Sequence, residues 1–289
     1  MAASSLFPPL DGFEPTRGTL QWYSRAVGVV PRAHATPQPH WWHISLQVQP
    51  YGLVTQDMAL PAGGSFDLRM DLRRHRIVLA VDGEPHQAFD MTAGLTATAM
   101  GDALLAAVAG LGLKGEYARQ KFEDTQPRTY HPAQAQRFLD VLIQVDRIFR
   151  AHRATLPPEV GPVQLWPHGF DLAFEWFGTR VQRHEEEGEV QELPAQLNLG
   201  FYPGNTQDAY FYSNPWPFES DALLGNPLPR GARWHTEGWQ GTMLPYAELA
   251  GDPAAEQRLR DYARAVYQVA APTLMAGYGG DSSSLRSSE

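Results

Sequence analysis

The segment GFDLAFEWF (169–177) alternates without interruption. Leu172, Phe174 and Trp176 point one way, and Asp171, Ala173, Glu175 and Phe177 point the other. Successive side chains of a strand leave opposite faces of a sheet, so this period marks a strand with an apolar face and a face carrying two carboxylates. Similar segments arrive in runs. YGLVT, SFDLRMDL (65–72) and RIVLAVDG (76–83) follow one another, the last two as a hairpin turned at Arg73-Arg74-His75. GPVQLW (161–166), GFDLAFEWFGTRV (169–181), LPAQLNLGFYP (193–203), DAYFYS (208–213) and TMLPY (242–246) make a second run. Strands in runs, rather than alternating with helices, indicate an α+β fold with mostly antiparallel sheets flanked by helices, not a Rossmann-type fold.

Four helical segments bracket these runs. Leu20, Tyr23, Val27 and Val30 set a helical period within 16–30, with Pro31, Pro37 and Pro39 marking its exit. Residues 93–111 form an apolar helix with Gly112 at C′. Residues 131–156 carry a stripe of Phe138, Leu142, Val145 and Phe149, and 252–271 forms a closing helix with Asp252 as N-cap and Pro253 at N1. The helix–strands–helix order occurs twice. It is read either as a single domain over 16–275 or as two similar α-β-α halves, 16–115 and 131–275. Residues 1–15 hold three prolines and no period, and are expected to form a flexible arm. The Gly/Ser-rich stretch 276–289 is expected to be a disordered tail, HEEEGE (184–189) a solvated connection, and 214–233, with four prolines, a long loop.

Composition excludes several chemistries. The 289 residues contain no cysteine, which removes thiol nucleophiles, disulfides, iron–sulfur clusters and cysteine zinc sites together. A net charge of −9 repels phosphate backbones, so no nucleic-acid partner is expected. The N-terminus lacks a basic segment followed by an apolar run, and the longest apolar stretch, 103–113, is too short to span a bilayer. A soluble, cytoplasmic protein with no membrane partner is expected. GxGxxG after a strand, GxxxxGK[ST], HExxH and GxSxG are all absent, which disfavours nucleotide-loop folds, classical zinc proteases and α/β-hydrolases.

The candidate site residues lie in aromatic and histidine-bearing segments. PQPHWWHISLQV (38–49) reads as a strand from Trp42 on. Trp42, Ile44, Leu46 and Val48 take one face, and His43, Ser45, Gln47 and Gln49 a polar, uncharged face of the kind that lines a cleft. On a strand His40 and His43 diverge and do not chelate together. His168 and His235 sit in aromatic-rich loops. A set of His43, His168, Asp171 and His235 would suit a cysteine-free metal site, although no metal is assigned. Asp171 and Glu175 stand roughly 13 Å apart along the backbone, too far for a shared ion. Tyr202, Tyr210, Tyr212 and Trp216 would suit an aromatic groove.

The ordered set HWWHISLQVQPYGLVT, YHPAQAQRFLDVLIQVDRIFRAHRA, PVQLWPHGFDLAFEWFGTR, LGFYPGNTQDAYFYSNPWP and MLPYAEL resembles the bacterial domain-of-unknown-function family 5996, from about Thr16 to Ala271. The resemblance implies a bacterial protein of one architecture and brings no activity. A histidine common in the family is Gln164 here, a tryptophan is Pro167, and Glu175-Trp176 stands where Thr-Arg is frequent.

Two functions stay open. One is a small-molecule-binding module whose aromatic and polar pocket draws on Trp41, His43, Ser45, His168, Asp171, Tyr210, Tyr212 and His235. The alternative is a His/Asp-based hydrolase, with or without a metal. No catalytic residue, cofactor or oligomeric state is specified by the sequence.

Overall fold

Alternation resolves into two open antiparallel sheets of six strands each. The computed structural model describes residues 6–186, 189–204 and 208–278. The first sheet comprises β1 (Gln47–Gln49), β2 (Gly52–Val54), β3 (Met58–Ala59), β4 (Ser65–Asp71), β5 (Arg76–Val81) and β6 (Glu84–Asp90), in the order β1-β2-β4-β5-β6 with β3 also on β4. The second comprises β7 (Gln164–Trp166), β8 (Asp171–Glu186), β9 (Glu189–Tyr202), β10 (Tyr210–Trp216), β11 (Arg233–His235) and β12 (Gly241–Pro245), in the order β11-β12-β10-β9-β8-β7. The helices are α1 (Glu14–His34), α2 (Ala97–Gly110), α3 (Pro132–Arg153), α4 (Ser220–Leu223) and α5 (Ala255–Ala270). None in the described residues is long and apolar enough to cross a membrane.

The α+β class follows the sequence reading, and so does its main helix. Phe138, Leu142, Val145 and Phe149 of α3 are all fully buried. Phe138 stacks on Phe13 (4.5 Å between ring centroids) and on Phe170 (5.6 Å), while Phe149 meets Phe174 and Phe211 edge-on at 6.0 and 6.4 Å. One contiguous core runs from Phe7 through the first sheet and α3 to Val266 of α5. The two sheets also meet directly. Leu46 and Leu165 exchange both backbone hydrogen bonds, at 2.9 and 2.7 Å, so β7 abuts the entry to β1.

Several expectations are corrected. The strand expected from Trp42 begins only at Gln47. Pro39–Ile44 instead forms 3₁₀ turns in which His40 (φ 53°) and Trp41 (φ 60°) are left-handed. Pro37 and Pro39 offer no N–H for a ladder, and the β7 pairing reaches back only to Leu46, leaving Trp42–Ile44 without a neighbouring strand. Helix α1 does not exit at Pro31. It continues to His34, with Pro31 buried in its last turn and its carbonyl accepting the Ala35 N–H at 2.9 Å. The flexible arm expected over 1–15 is packed from residue 6 onward. Phe7 and Phe13 are buried, the Tyr246 hydroxyl donates to Pro8 O at 2.8 Å, and α1 begins at Glu14. Residues 1–5, and the expected tail beyond residue 278, lie outside the described residues.

Three strands went unread. β3 and β11 are short, and β6 is an edge strand whose side chains are nearly all exposed, so it shows no alternation. It follows an Asp82-Gly83 turn with both residues at positive φ. The strands on either side run further into HEEEGE than expected: β8 and β9 stay paired to Glu186 and Glu189, and residues 187–188 lie outside the described residues. The expected 214–233 loop gives β10 up to Trp216 and then the single turn α4. Asp252 is not the N-cap of α5. It accepts the Ala254 N–H at 2.7 Å and pairs with Arg258, and the helix starts at Ala255.

Two measurements probe this core. Phe149→Ala is expected to cost about 3–5 kcal/mol in denaturant unfolding, because the ring contacts β8 and β10 at once. His152, packed beside Phe174 and Tyr267, has its pKa lowered to about 4, chiefly by burial and further by Arg264 and Arg260. Its folded value lies below the unfolded one of about 6.5. The stability from keeping it neutral is therefore complete above that value and lost as pH falls toward 4. A His152→Gln variant should show a shallower loss of unfolding free energy between pH 7 and pH 4.5 than the parent.

Candidate functional site

The second sheet is two-faced. Leu172, Phe174, Leu199, Phe201, Phe211 and Leu244 face the helical core. The opposite face is polar and is ordered by register. Ala173, Gly200 and Tyr212 form one cross-strand row, and Glu175, Asn198 and Asn214 form the next. Gly200 matters because it has no side chain: a Cβ there would meet the Tyr212 ring at 2.2 Å. The ring therefore lies across β9 toward the small Ala173, and its hydroxyl donates to Asp171 Oδ2 at 2.5 Å. The turn between β7 and β8 aims Asp171 and His168. It closes through Phe170, which is left-handed (φ 60°) and held so by burial of its ring against Phe138.

A cavity of about 410 Å³ opens over this face, walled by Trp166, His168, Asp171, Glu175, Asn198 and Tyr212, with His40 at its rim. Its acids are held away from ordinary behaviour. Burial pushes the Asp171 carboxyl up, opposed by the Tyr212 hydroxyl and by the nearby His168. Burial pushes Tyr212 well up, reinforced by the charge of Asp171. Glu175 is pushed up to about 7, first by burial, against the opposing pull of the Trp42 indole and with a further push from Asp171. Glu175 Oε2 is turned back toward Gly161 and Trp42, where a Cβ on Gly161 would come within 2.9 Å of both side chains. Near neutrality the cavity thus presents one carboxyl that takes up and releases a proton, and a second held by a phenol.

Of the residues singled out from the sequence, His168, Asp171 and Tyr212 come together here. Trp41 does not join them. It is 54% exposed and walls an adjoining cavity of about 630 Å³. His43 lines neither cavity. It is 4% exposed, lies under the Trp41 ring at 5.5 Å, and its Nδ1 accepts the Gln38 N–H at 3.2 Å. Ser45 is buried, with its hydroxyl within reach of Trp42 O (2.7 Å) and Gln164 Oε1 (2.5 Å). Tyr210 packs between Tyr202 and Trp239. His235 stacks on Trp239 at 4.4 Å, on β11, four strands from β8 and hence roughly 19 Å away. The set of His43, His168, Asp171 and His235 is therefore not assembled, and no group of three or more His, Asp or Glu in the described residues is arranged to hold a metal.

No site role was read for Asn198 or Trp166; His40 was weighed only as a chelating partner of His43, and Glu175 was set aside on its spacing from Asp171. The alternation of β8 already placed Glu175 on the face of Asp171. Only strand pairing sets Asn198 opposite it. Gln164 is 2% exposed and opposite Ala173, and its Nε2 is buried without a protein partner.

The chain belongs to the family of unknown function DUF5996, which it matches over residues 7–277. Neither a curated protein nor a solved structure matches it.

The site's electrostatics can be checked by titration. The folded pKa of Glu175, about 7, exceeds the value of 4.5 expected without the fold, so the folded state binds an extra proton between them. Stability falls as pH rises through that window and stays lower above it. Glu175→Gln should remove this slope and stabilise the protein at pH 8, relative to the parent, by on the order of 2 kcal/mol. Tyr212→Phe should raise the Asp171 pKa further, seen by carboxyl-carbon NMR, and cost about 1–3 kcal/mol in unfolding.

Proposed function

We propose that this member of the family binds a small polar molecule over the open face of its second sheet, with Asp171, Glu175, Asn198 and Tyr212 directing it. The observation that carries this reading is the concentration of perturbed groups in one concave place. Two acids with raised pKa values, an asparagine and a buried phenol share a cavity on a face that a purely structural sheet would leave to water or cover with a helix. A carboxyl near its midpoint at neutral pH both donates and accepts hydrogen bonds, which suits hydroxyl, amide or amine groups. Trp166 adds an apolar wall against which the body of such a molecule can lie.

A second reading, an acid–base hydrolase, is favoured by one observation: Glu175 at about 7 is matched to proton transfer at neutral pH. In it Glu175 would exchange the proton, and Asp171, held by Tyr212 and near His168, would orient the substrate. Asp171 and His168 are two of the four residues that the sequence reading set together with His43 and His235.

Thermal shift across a panel of sugars, polyols, amino acids and amines tests the first reading. A ligand at a hundred times its Kd should stabilise the protein by about 2.7 kcal/mol. That gain should be lost in both Glu175→Gln and Asn198→Ala. A panel without any shift, or shifts unchanged in both variants, would sink it. Turnover of p-nitrophenyl esters or glycosides with a pH midpoint near 7 that disappears in Glu175→Gln would select the second.

A further inference from the structure

A second cavity adjoins the polar one through His40, Trp166 and His168, and its chemistry is the reverse. It lies between α1, the Pro39–Ile44 turns and the turn Arg119–Lys121. Its wall carries Arg25, Arg32 and Lys121 and not one carboxylate. None of these three cations forms an ion pair with an acid among the described residues, although the chain as a whole carries a net charge of −9 and only two lysines. Arg25 is fixed in place, with its guanidinium donating to His168 O at 2.9 Å and lying 4.9 Å from the Trp22 ring. Val29, Ile44 and Pro167 give the wall apolar stretches, and His40, Gln120 and His168 are its uncharged polar members.

Trp41 stands at this cavity with more than half its surface exposed, the Arg32 guanidinium 4.7 Å over its ring. Its position is held by two consecutive left-handed residues, His40 and Trp41, neither of them glycine. Such backbone costs about 1–3 kcal/mol per residue and persists where the surroundings over-determine it, often at ligand clamps. The Trp41 indole, half exposed on strained backbone beside cations without an ion pair, is not a core side chain; its ring contacts are with the buried His43 and the exposed Arg32.

We propose that this 630 Å³ cavity is a binding site for a planar, apolar monoanion of the aromatic-carboxylate class, its ring packed against the exposed side of the Trp41 indole and the Val29, Ile44 and Pro167 wall, and its carboxylate met by Arg25, Arg32 and Lys121. The volume suits a one- or two-ring ligand. Arginine matches a carboxylate with paired donors, and edge-to-face contact with an indole rewards an aromatic body. The inference does not rest on the reading of the polar cavity, which would take a different chemistry.

The test is isothermal titration of the full chain with 1-naphthoate, alongside its neutral analogue 1-naphthamide. One saturable site is expected for naphthoate, with naphthamide about tenfold or more weaker. Arg32→Gln, Lys121→Gln and Trp41→Ala should each weaken naphthoate severalfold, and all three residues are exposed enough for the fold to survive. Glu175→Gln, in the neighbouring cavity, should leave naphthoate affinity unchanged. Equal affinity for naphthoate and naphthamide, absence of saturable binding up to the solubility limit, or indifference to both Trp41→Ala and Arg32→Gln overturns the proposal. Loss of naphthoate binding in Glu175→Gln but not in Arg32→Gln would place the probe over the polar face and overturn it as well. Failure here leaves the polar-face reading to be decided by its own panel.

Discussion

Burial of the aromatic stripe of α3 is the interaction on which the remaining architecture depends. Phe138 and Phe149, three turns apart on one helix, hold different parts of the chain: the N-terminal segment through Phe13, the β7–β8 turn through Phe170, and the centre of the second sheet through Phe174 and Phe211. Each fully buried ring removes a large apolar surface from water, and edge-on and offset contacts add to this. Because the helix takes the apolar face of β8–β10, the other face of those strands is left to polar side chains.

That division of faces creates the site. The core fixes β8, and period-2 geometry then delivers Asp171 and Glu175 to the outer face at fixed positions. Small residues at Ala173 and Gly200 let a large one, Tyr212, lie flat across two strands and reach Asp171. A phenol that must cross the sheet in this way is held by packing as well as by its hydrogen bond. The acids beside it are crowded by protein on several sides, and this is why their protonated forms are favoured.

Two cavities of opposite character share one short wall. The acidic one faces the sheet, and the cationic one faces α1 and the left-handed His40–Trp41 pair. The two meet at His40, Trp166 and His168, and the Arg25 guanidinium of the cationic one is committed to the His168 carbonyl of the β7–β8 turn. The same turn therefore aims Asp171 into one cavity and anchors a cation of the other.

The α+β class, the α3 stripe and the two faces of β8 were legible in the sequence, since each rests on a local period of 3.6 or 2. The set of His43, His168, Asp171 and His235 was not, because its members lie on separate elements and only His168 and Asp171, three residues apart, line one cavity. The strand expected through Trp42–Ile44 was not formed, because alternation describes side chains but not whether a neighbouring strand exists to receive hydrogen bonds. Edge strand β6 was invisible for the converse reason: it is paired on one side and exposed on nearly every residue. What the sequence by itself determined is which residues share a face. What only the tertiary structure decided is which faces meet: Asn198 opposite Glu175, Tyr212 over Gly200, His235 four strands away from Asp171, and Trp41 turned outward while His43 is buried. Register and chain crossing are set by long-range packing, and no local pattern carries them.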